Sequence, residues 1–133
     1  MPKSMLWKCA LLCTLLFSSA AHAADGDIDA LELSQNWQGL VGKTITISGC
    51  MITSATVDLM VCLATSKHGR PPSFWFDPSG MAPDDVARAV RECDFYVGYP
   101  VCGIRLHGEV ANENGELKIM HGSVTWTQPP LTP

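Results

Sequence analysis

The cysteines are the residues whose chemistry depends most on their spacing. Six occur in the 133-residue chain, and two of them lie within the first 23 residues. A redox site needs a closely spaced pair with an activated thiol, and a zinc site needs Cys or His ligands in short paired spacings. The other four form neither pattern and are interpreted as structural. They are Cys50, Cys62, Cys93 and Cys102.

Three histidines follow the first 23 residues: His68, His107 and His121. The last two fall on predicted neighbouring strands, joined by a turn in Asn112 to Gly115. In that register they are one residue away from lying opposite each other, and a bulge at Gly122 would correct the offset. A metal-binding or pH-sensing pair is therefore one hypothesis. Solvated or singly hydrogen-bonded histidines are the favoured interpretation.

Hydrolytic chemistry has no recognisable set of residues. The chain contains no Gly-x-Ser-x-Gly motif, in which a serine nucleophile would sit on a sharp turn. Asp84 and Asp85 have a sufficient explanation as charges at a helix N-terminus, and Asp77 before Pro78 is typical of a turn. The sequence therefore predicts a protein that is not an enzyme, with no catalytic residue, no metal ligand set and no cofactor.

The N-terminal segment has the three parts of a secretory signal. Lys3 and Lys8 supply positive charge, Ala10 to Phe17 is an apolar run of eight residues, and Ala21-His22-Ala23 fits a signal peptidase site. The run is too short for the roughly 20 residues that span a bilayer. We expect a signal peptide over 1–23 with the cut after Ala23, a periplasmic or secreted protein, and no stable membrane span after cleavage.

Charge then excludes one class of partner. Without the signal the chain keeps all 13 acidic residues and seven scattered basic ones, so its net charge is about −6 rather than −4. Nucleic acid binding depends mainly on clustered Lys and Arg that release counterions from the phosphates. No basic cluster is present, and nucleic acid is not expected as a partner.

An even number of cysteines in an exported protein predicts two disulfides, for which three pairings exist in principle. Residues 43–51 alternate Ile45 and Ile47 with polar residues, as a half-buried strand does, and 57–63 form a second predicted strand. A hairpin centred near residue 56 would place Cys50 opposite Cys62. Keeping both isoleucines and Cys50 on the inner face then requires a bulge, most simply at Gly49.

The other pair, Cys93 and Cys102, follows a predicted helix. Pro83 suits its first position, and Val86, Val90 and Cys93 recur on one face, which is the expected buried face. A bridge from Cys93 to Cys102 would tie the helix end to the start of the next strand.

The remaining elements complete the predicted fold. Further strands are expected over 73–77, 103–110 and 116–127, and a helix over 28–39 with Leu31, Leu33 and Trp37. The order is typical of a mainly β, five-stranded OB-fold-like Greek-key barrel with one helix between strands three and four. We expect a helical lead-in over 24–40, the barrel over 41–127 and a tail over 128–133.

The segments LVGKTITISGC, FWFDP, PDDVARAVREC and LHGEV…LKIMHGSVTW also resemble small exported bacterial OB-fold proteins of uncharacterised function. The resemblance covers about residues 40–126. It implies a binding or accessory role and carries no catalytic residue, because a fold alone does not specify a ligand.

The strongest binding candidate is Trp75. If Phe74 and Phe76 fill the core, the intervening indole faces outward, where it could stack on a sugar, a base or an apolar side chain. The alternative is that Trp75 packs under the loop over 67–72. Arg70 in that loop and His107 are further candidates for ligand contacts.

The function predicted from the sequence is therefore an exported binding or accessory module for a protein, a peptide or a glycan. The alternative is a metal-binding sensor or enzyme site at His107 and His121. A third hypothesis, a pentameric toxin-like sugar-binding subunit, has the same size and fold. The oligomeric state is not predicted.

Overall fold

The computed structural model describes residues 26–65, 69–95 and 100–131. The predicted signal peptide and His68 lie outside these residues. The described elements follow the chain as β1 (Ile28–Asp29), α1 (Ala30–Asn36), β2 (Thr44–Ala55), β3 (Met60–Ala64), β4 (Ser73–Phe76), α2 (Pro83–Glu92), β5 (Gly103–Glu113) and β6 (Glu116–Trp126). Short 3₁₀ helices occupy Trp37–Leu40, Pro78–Gly80 and Pro100–Cys102.

The strands form one mixed sheet that closes into a ring. The order is β1-β2-β3-β4-β6-β5, and β2 also pairs with β5, which closes the sheet. Pairing is parallel between β1 and β2 and between β4 and β6, and antiparallel elsewhere. The prediction of a mainly β protein is confirmed, with β1 as a sixth strand that the sequence did not predict.

The N-terminal helix is shorter than predicted. α1 begins after Asp29, whose carboxylate accepts a hydrogen bond from the amide of Leu31 at 3.0 Å and so caps the helix. Leu33 and Trp37, four residues apart, are both buried. Ile28 and Asp29 are strand rather than helix because they pair in parallel with Ile47 and Ser48 of β2.

The predicted bulge at Gly49 is confirmed. Ile45, Ile47 and Cys50 all face the core, and the β2–β5 register shifts between Ile47 and Cys50. Gly49 has a φ of 69°, which a residue with a side chain rarely adopts, and a Cβ there would lie 2.5 Å from a carboxylate oxygen of Asp29. The inward positions thus change from odd to even at a glycine.

Both cysteine pairs lie at disulfide distance, and the predicted pairing is the one observed. The expected register around Cys50 and Cys62 was wrong, however, because Cys50 is opposite Ala64 and Cys62 is opposite Ile52. β2 runs on to Ala55 with a second bulge, so the hairpin turns later than residue 56. The pair is diagonal on the inner face, with 5.5 Å between the α-carbons.

The helix α2 is confirmed, but the face that it buries was predicted wrongly. Its buried residues are Arg88, Ala89 and Glu92, whereas Val86 is half-buried and Val90 is 38% exposed. The helix packs against the C-terminal segment of the chain, which offers polar partners, so its polar side faces inward.

A network of charged and polar groups fills the interface between α2 and the C-terminal segment. The Arg88 Nε donates to the Glu92 carboxylate at 3.0 Å, and an Nη of Arg88 donates to the Gln128 carbonyl at 2.7 Å. The amide of Leu131 donates to the other oxygen of Glu92 at 2.8 Å. The guanidinium carbon also lies 3.9 Å from the ring centroid of Trp126. These contacts supply the partners that a buried charge requires.

The β5–β6 hairpin turns one residue later than predicted. β5 extends to Glu113, and Asn114 and Gly115 form the turn with φ values of 55° and 86°. The Asn112 side chain accepts from the amide of Gly115 at 2.8 Å. The register consequently places His107 opposite Ser123, and β6 contributes two residues against Gly108 near Gly122.

None of the helices in the described ranges has the length and apolar character needed to cross a membrane.

Candidate binding site around Trp75

The short strand β4 separates an aromatic core from an aromatic surface. Phe74 and Phe76 are 4% and 0% exposed and face the interior of the ring. Trp75 between them points outward and is 44% exposed, because successive side chains of a strand alternate in direction. The outward orientation expected for Trp75, when both phenylalanines fill the core, is therefore what the structure has.

Trp75 separates two adjacent clefts. One, of about 320 Å³, lies between the indole, Leu59 and the end of the β5–β6 hairpin, where Glu113, Asn114 and Glu116 are found. The other, of about 330 Å³, lies on the side of the N-terminal helices. Residues lining this second cleft include Ser34, Trp37, Pro72 and Ser73.

The polar groups around the indole come from the hairpin. Lys118, the neighbour of Trp75 on β6, donates to the Glu113 carboxylate at 2.8 Å. Glu116 stands opposite Glu113 in the hairpin and is exposed, without an ion pair to any residue that the structure describes. A flat apolar surface next to carboxylate, ammonium and amide groups can stack on a ligand while hydrogen bonding its edges.

The other candidate binding residues lie elsewhere. Arg70 is exposed in the β3–β4 connection and does not line either cleft. His107 is exposed on β5, where its Nδ1 lies 2.9 Å from the Thr46 hydroxyl on β2. The structure therefore does not bring Arg70 or His107 to the clefts beside Trp75.

The two strand histidines have separate partners. His107 pairs with Thr46, while His121 lies on β6 with its Nδ1 3.2 Å from the Ser79 hydroxyl. Among the residues described, no group of three or more His, Cys, Asp or Glu side chains is placed to hold a metal ion.

A serine, a histidine and an aspartate meet at a place that the sequence did not predict. The Ser79 hydroxyl donates to Asp77 at 2.8 Å, and the amide of His121 donates to the same carboxylate oxygen at 3.1 Å. Burial acts to raise the pKa of Asp77, but the hydrogen bonds from Ser79 and His121 outweigh it, so the pKa lies below its ordinary value.

This cluster lacks the geometry of a catalytic triad. In a triad the carboxylate and the serine bind opposite nitrogens of the imidazole. Here Asp77 and Ser79 both face Nδ1 of His121, at 4.0 Å and 3.2 Å, and the imidazole is largely exposed. Asp77 also accepts from the amide of Ser79, which caps the 3₁₀ helix over Pro78–Gly80 and confirms Asp77 as a turn residue.

Comparisons with known proteins identify no family. No protein-family model matches the chain, and no curated protein is significantly similar to it. The assignment of a function therefore depends on the geometry around Trp75.

Proposed function

We propose that the protein is a non-enzymatic exported binding module, which holds a protein, peptide or glycan on the outer face around Trp75. One observation carries the proposal: an indole that is 44% exposed separates two clefts, while its strand neighbours Phe74 and Phe76 anchor it from inside. Large exposed aromatic side chains beside concave surfaces are typical of recognition sites.

We further propose that the ring is an OB-type barrel. Five strands, β2 to β6, form the ring, and α2 lies between the third and fourth of them, as in that fold. OB barrels bind ligands on strands two and three and on the loops after strands one and four. Leu59, Trp75 and Asn114 come from those parts of the chain and line one cleft.

An exported location, periplasmic or secreted, belongs to the same proposal. The charged, apolar and small-residue parts of segment 1–23 support it, as do the two cysteine pairs at disulfide distance. Such bonds persist in oxidising compartments and are rare in reducing ones.

The experiment is a binding screen of the secreted protein on an oligosaccharide array and on a peptide array. Wild type is compared with Trp75→Ala and with Thr125→Ala, an exposed β6 residue that lines neither cleft. We expect saturable binding on one array, at least tenfold weaker for Trp75→Ala and unchanged for Thr125→Ala. Absence of binding on both arrays, or equal binding by Trp75→Ala, would contradict the proposal.

The alternative function, a metal-dependent sensor at His107 and His121, has less support because the two imidazoles contact different hydroxyl groups. Titration with Zn²⁺ separates the two functions. Stoichiometric binding that is lost in both His107→Ala and His121→Ala would favour the sensor over the binding module.

A further inference from the structure

The helix α2 presents its apolar side chains to the surface and its charged ones to the interior. Arg88 and Glu92 are 9% and 4% exposed. The opposite side carries Pro83, Val86, Ala87 and Val90, a stripe with the i, i+3, i+4, i+7 spacing that normally faces a core. The usual burial of an amphipathic helix is reversed, which leaves an apolar face without a partner in the chain described.

This stripe forms one wall of an apolar groove of about 560 Å³. Val57, in the turn between β2 and β3, forms part of the other wall and is 70% exposed. Met81 also lines the groove, and Arg91 stands at its rim. Contiguous exposed apolar surface of this kind marks an interaction site more often than a scatter of single residues does.

The charges beside the stripe indicate what covers it. Asp84 and Arg91 are both exposed and are seven residues apart, so they lie on the same flank of the stripe, about 10 Å apart along the axis. That separation is too long for them to pair within one helix. In an antiparallel pair of α2 helices related by a two-fold axis, the same flank faces itself, and each Arg91 lies beside the Asp84 of the other copy.

We propose that this apolar face binds a second copy of the same chain, with the two α2 helices packed antiparallel. The pattern is self-complementary, since the stripe of one helix covers the stripe of the other while the two Asp84–Arg91 pairs close one flank. This dimer does not depend on the Trp75 site, which lies on β4. α2 is only about 15 Å long, so the contact falls below the roughly 800 Å² per partner of a standard interface. We therefore expect association that depends on concentration.

The test is sedimentation velocity of the secreted protein across a thousandfold range of concentration. Wild type should convert from monomer to dimer as the concentration rises. Val90→Asp and Arg91→Asp should each weaken dimerisation at least tenfold. The double variant Asp84→Arg with Arg91→Asp should recover most of the wild-type affinity, because the exchange restores both pairs across the two-fold axis.

The matched control is Lys43→Asp, which makes the same charge change at an exposed position away from α2 and should leave dimerisation unchanged. Thermal unfolding of each variant establishes that it is folded. A chain that stays monomeric at every concentration, because the groove binds another protein or nothing, would overturn the proposal. So would a dimer that tolerates Val90→Asp, or a double variant that dimerises no better than Arg91→Asp.

Discussion

Two tryptophans occupy opposite situations in the same sheet. The indole of Trp126, at the end of β6, donates its N–H to the Asp85 carboxylate at 2.9 Å and lies under the Arg88 guanidinium. The indole of Trp75, on β4, is 44% exposed and has no hydrogen-bond partner among the residues described. An indole with both its ring and its N–H engaged stabilises the fold, whereas one with both free is available to a ligand.

The surroundings differ in the same way. Trp126 lies in an interface where charged side chains and backbone groups from α2 and the C-terminal segment are matched one to another. Trp75 lies between clefts and beside Glu116, which is exposed. Substitutions near Trp126 should therefore change stability, and substitutions near Trp75 should change binding.

The largest effect is expected from Arg88→Ala. Removing the guanidinium leaves the Glu92 carboxylate buried without its cation, which typically costs about 3–5 kcal/mol of unfolding free energy. Chemical denaturation measures the loss. Arg91→Ala on the exposed side of the same helix is the control and should change stability by about 0.5 kcal/mol or less. A small loss for Arg88→Ala would mean that the polar interface is not a stabilising region.

The direct comparison is Trp126→Ala with Trp75→Ala. The first loses ring packing, the Arg88 contact and a hydrogen bond, and we expect a loss of about 3 kcal/mol. The second exposes no matched group, and we expect about 1 kcal/mol or less. Thermal or chemical unfolding of both variants tests this difference. Equal losses would remove the distinction between the two indoles.

Trp126→Phe separates the ring from its N–H. The aromatic face over Arg88 remains, but the hydrogen bond to Asp85 is lost, and a bond of this kind contributes about 1 kcal/mol. Trp75→Phe is the matched change at the exposed site and should leave stability unaltered. The expected order of stability loss is Trp126→Ala, then Trp126→Phe, then Trp75→Phe.

The smallest perturbation is quenching of indole fluorescence by acrylamide, which alters no residue. Trp75 is 44% exposed whereas Trp37 is 8% exposed, so the accessible part of the emission should come mainly from Trp75. The quenched fraction should fall strongly in Trp75→Phe and little in Trp126→Phe. Similar quenching in both variants would show that Trp75 is covered, for example by the preceding loop.

Features set by local chemistry were predictable from the sequence. The change of inward parity between Ile47 and Cys50 required a bulge, and Gly49 was the residue able to adopt a positive φ. Pro83 and the acidic residues after it located the start of α2, and the alternation in β4 gave the outward direction of Trp75. Each of these inferences uses neighbours within a few residues.

Features set by long-range packing were not predictable. Val86 and Val90 had the spacing of a core face, but the polar groups that turn Arg88 and Glu92 inward come from residues 101, 128 and 131. The second bulge in β2 moved Cys50 away from its expected opposite position without changing its bonding partner. Ser79 and His121 lie 42 residues apart, and no local pattern joins them.

The position of the C-terminal segment beside α2 also has a consequence for the order of folding. A chain that emerges N-terminus first presents α2 well before the backbone groups of Gln128 and Leu131 that its charges bind. Until residue 131 emerges, Arg88 and Glu92 lack those partners and stay hydrated, since burying unmatched charges is unfavourable. Docking of α2 is therefore a late step, after the strands that precede it have paired.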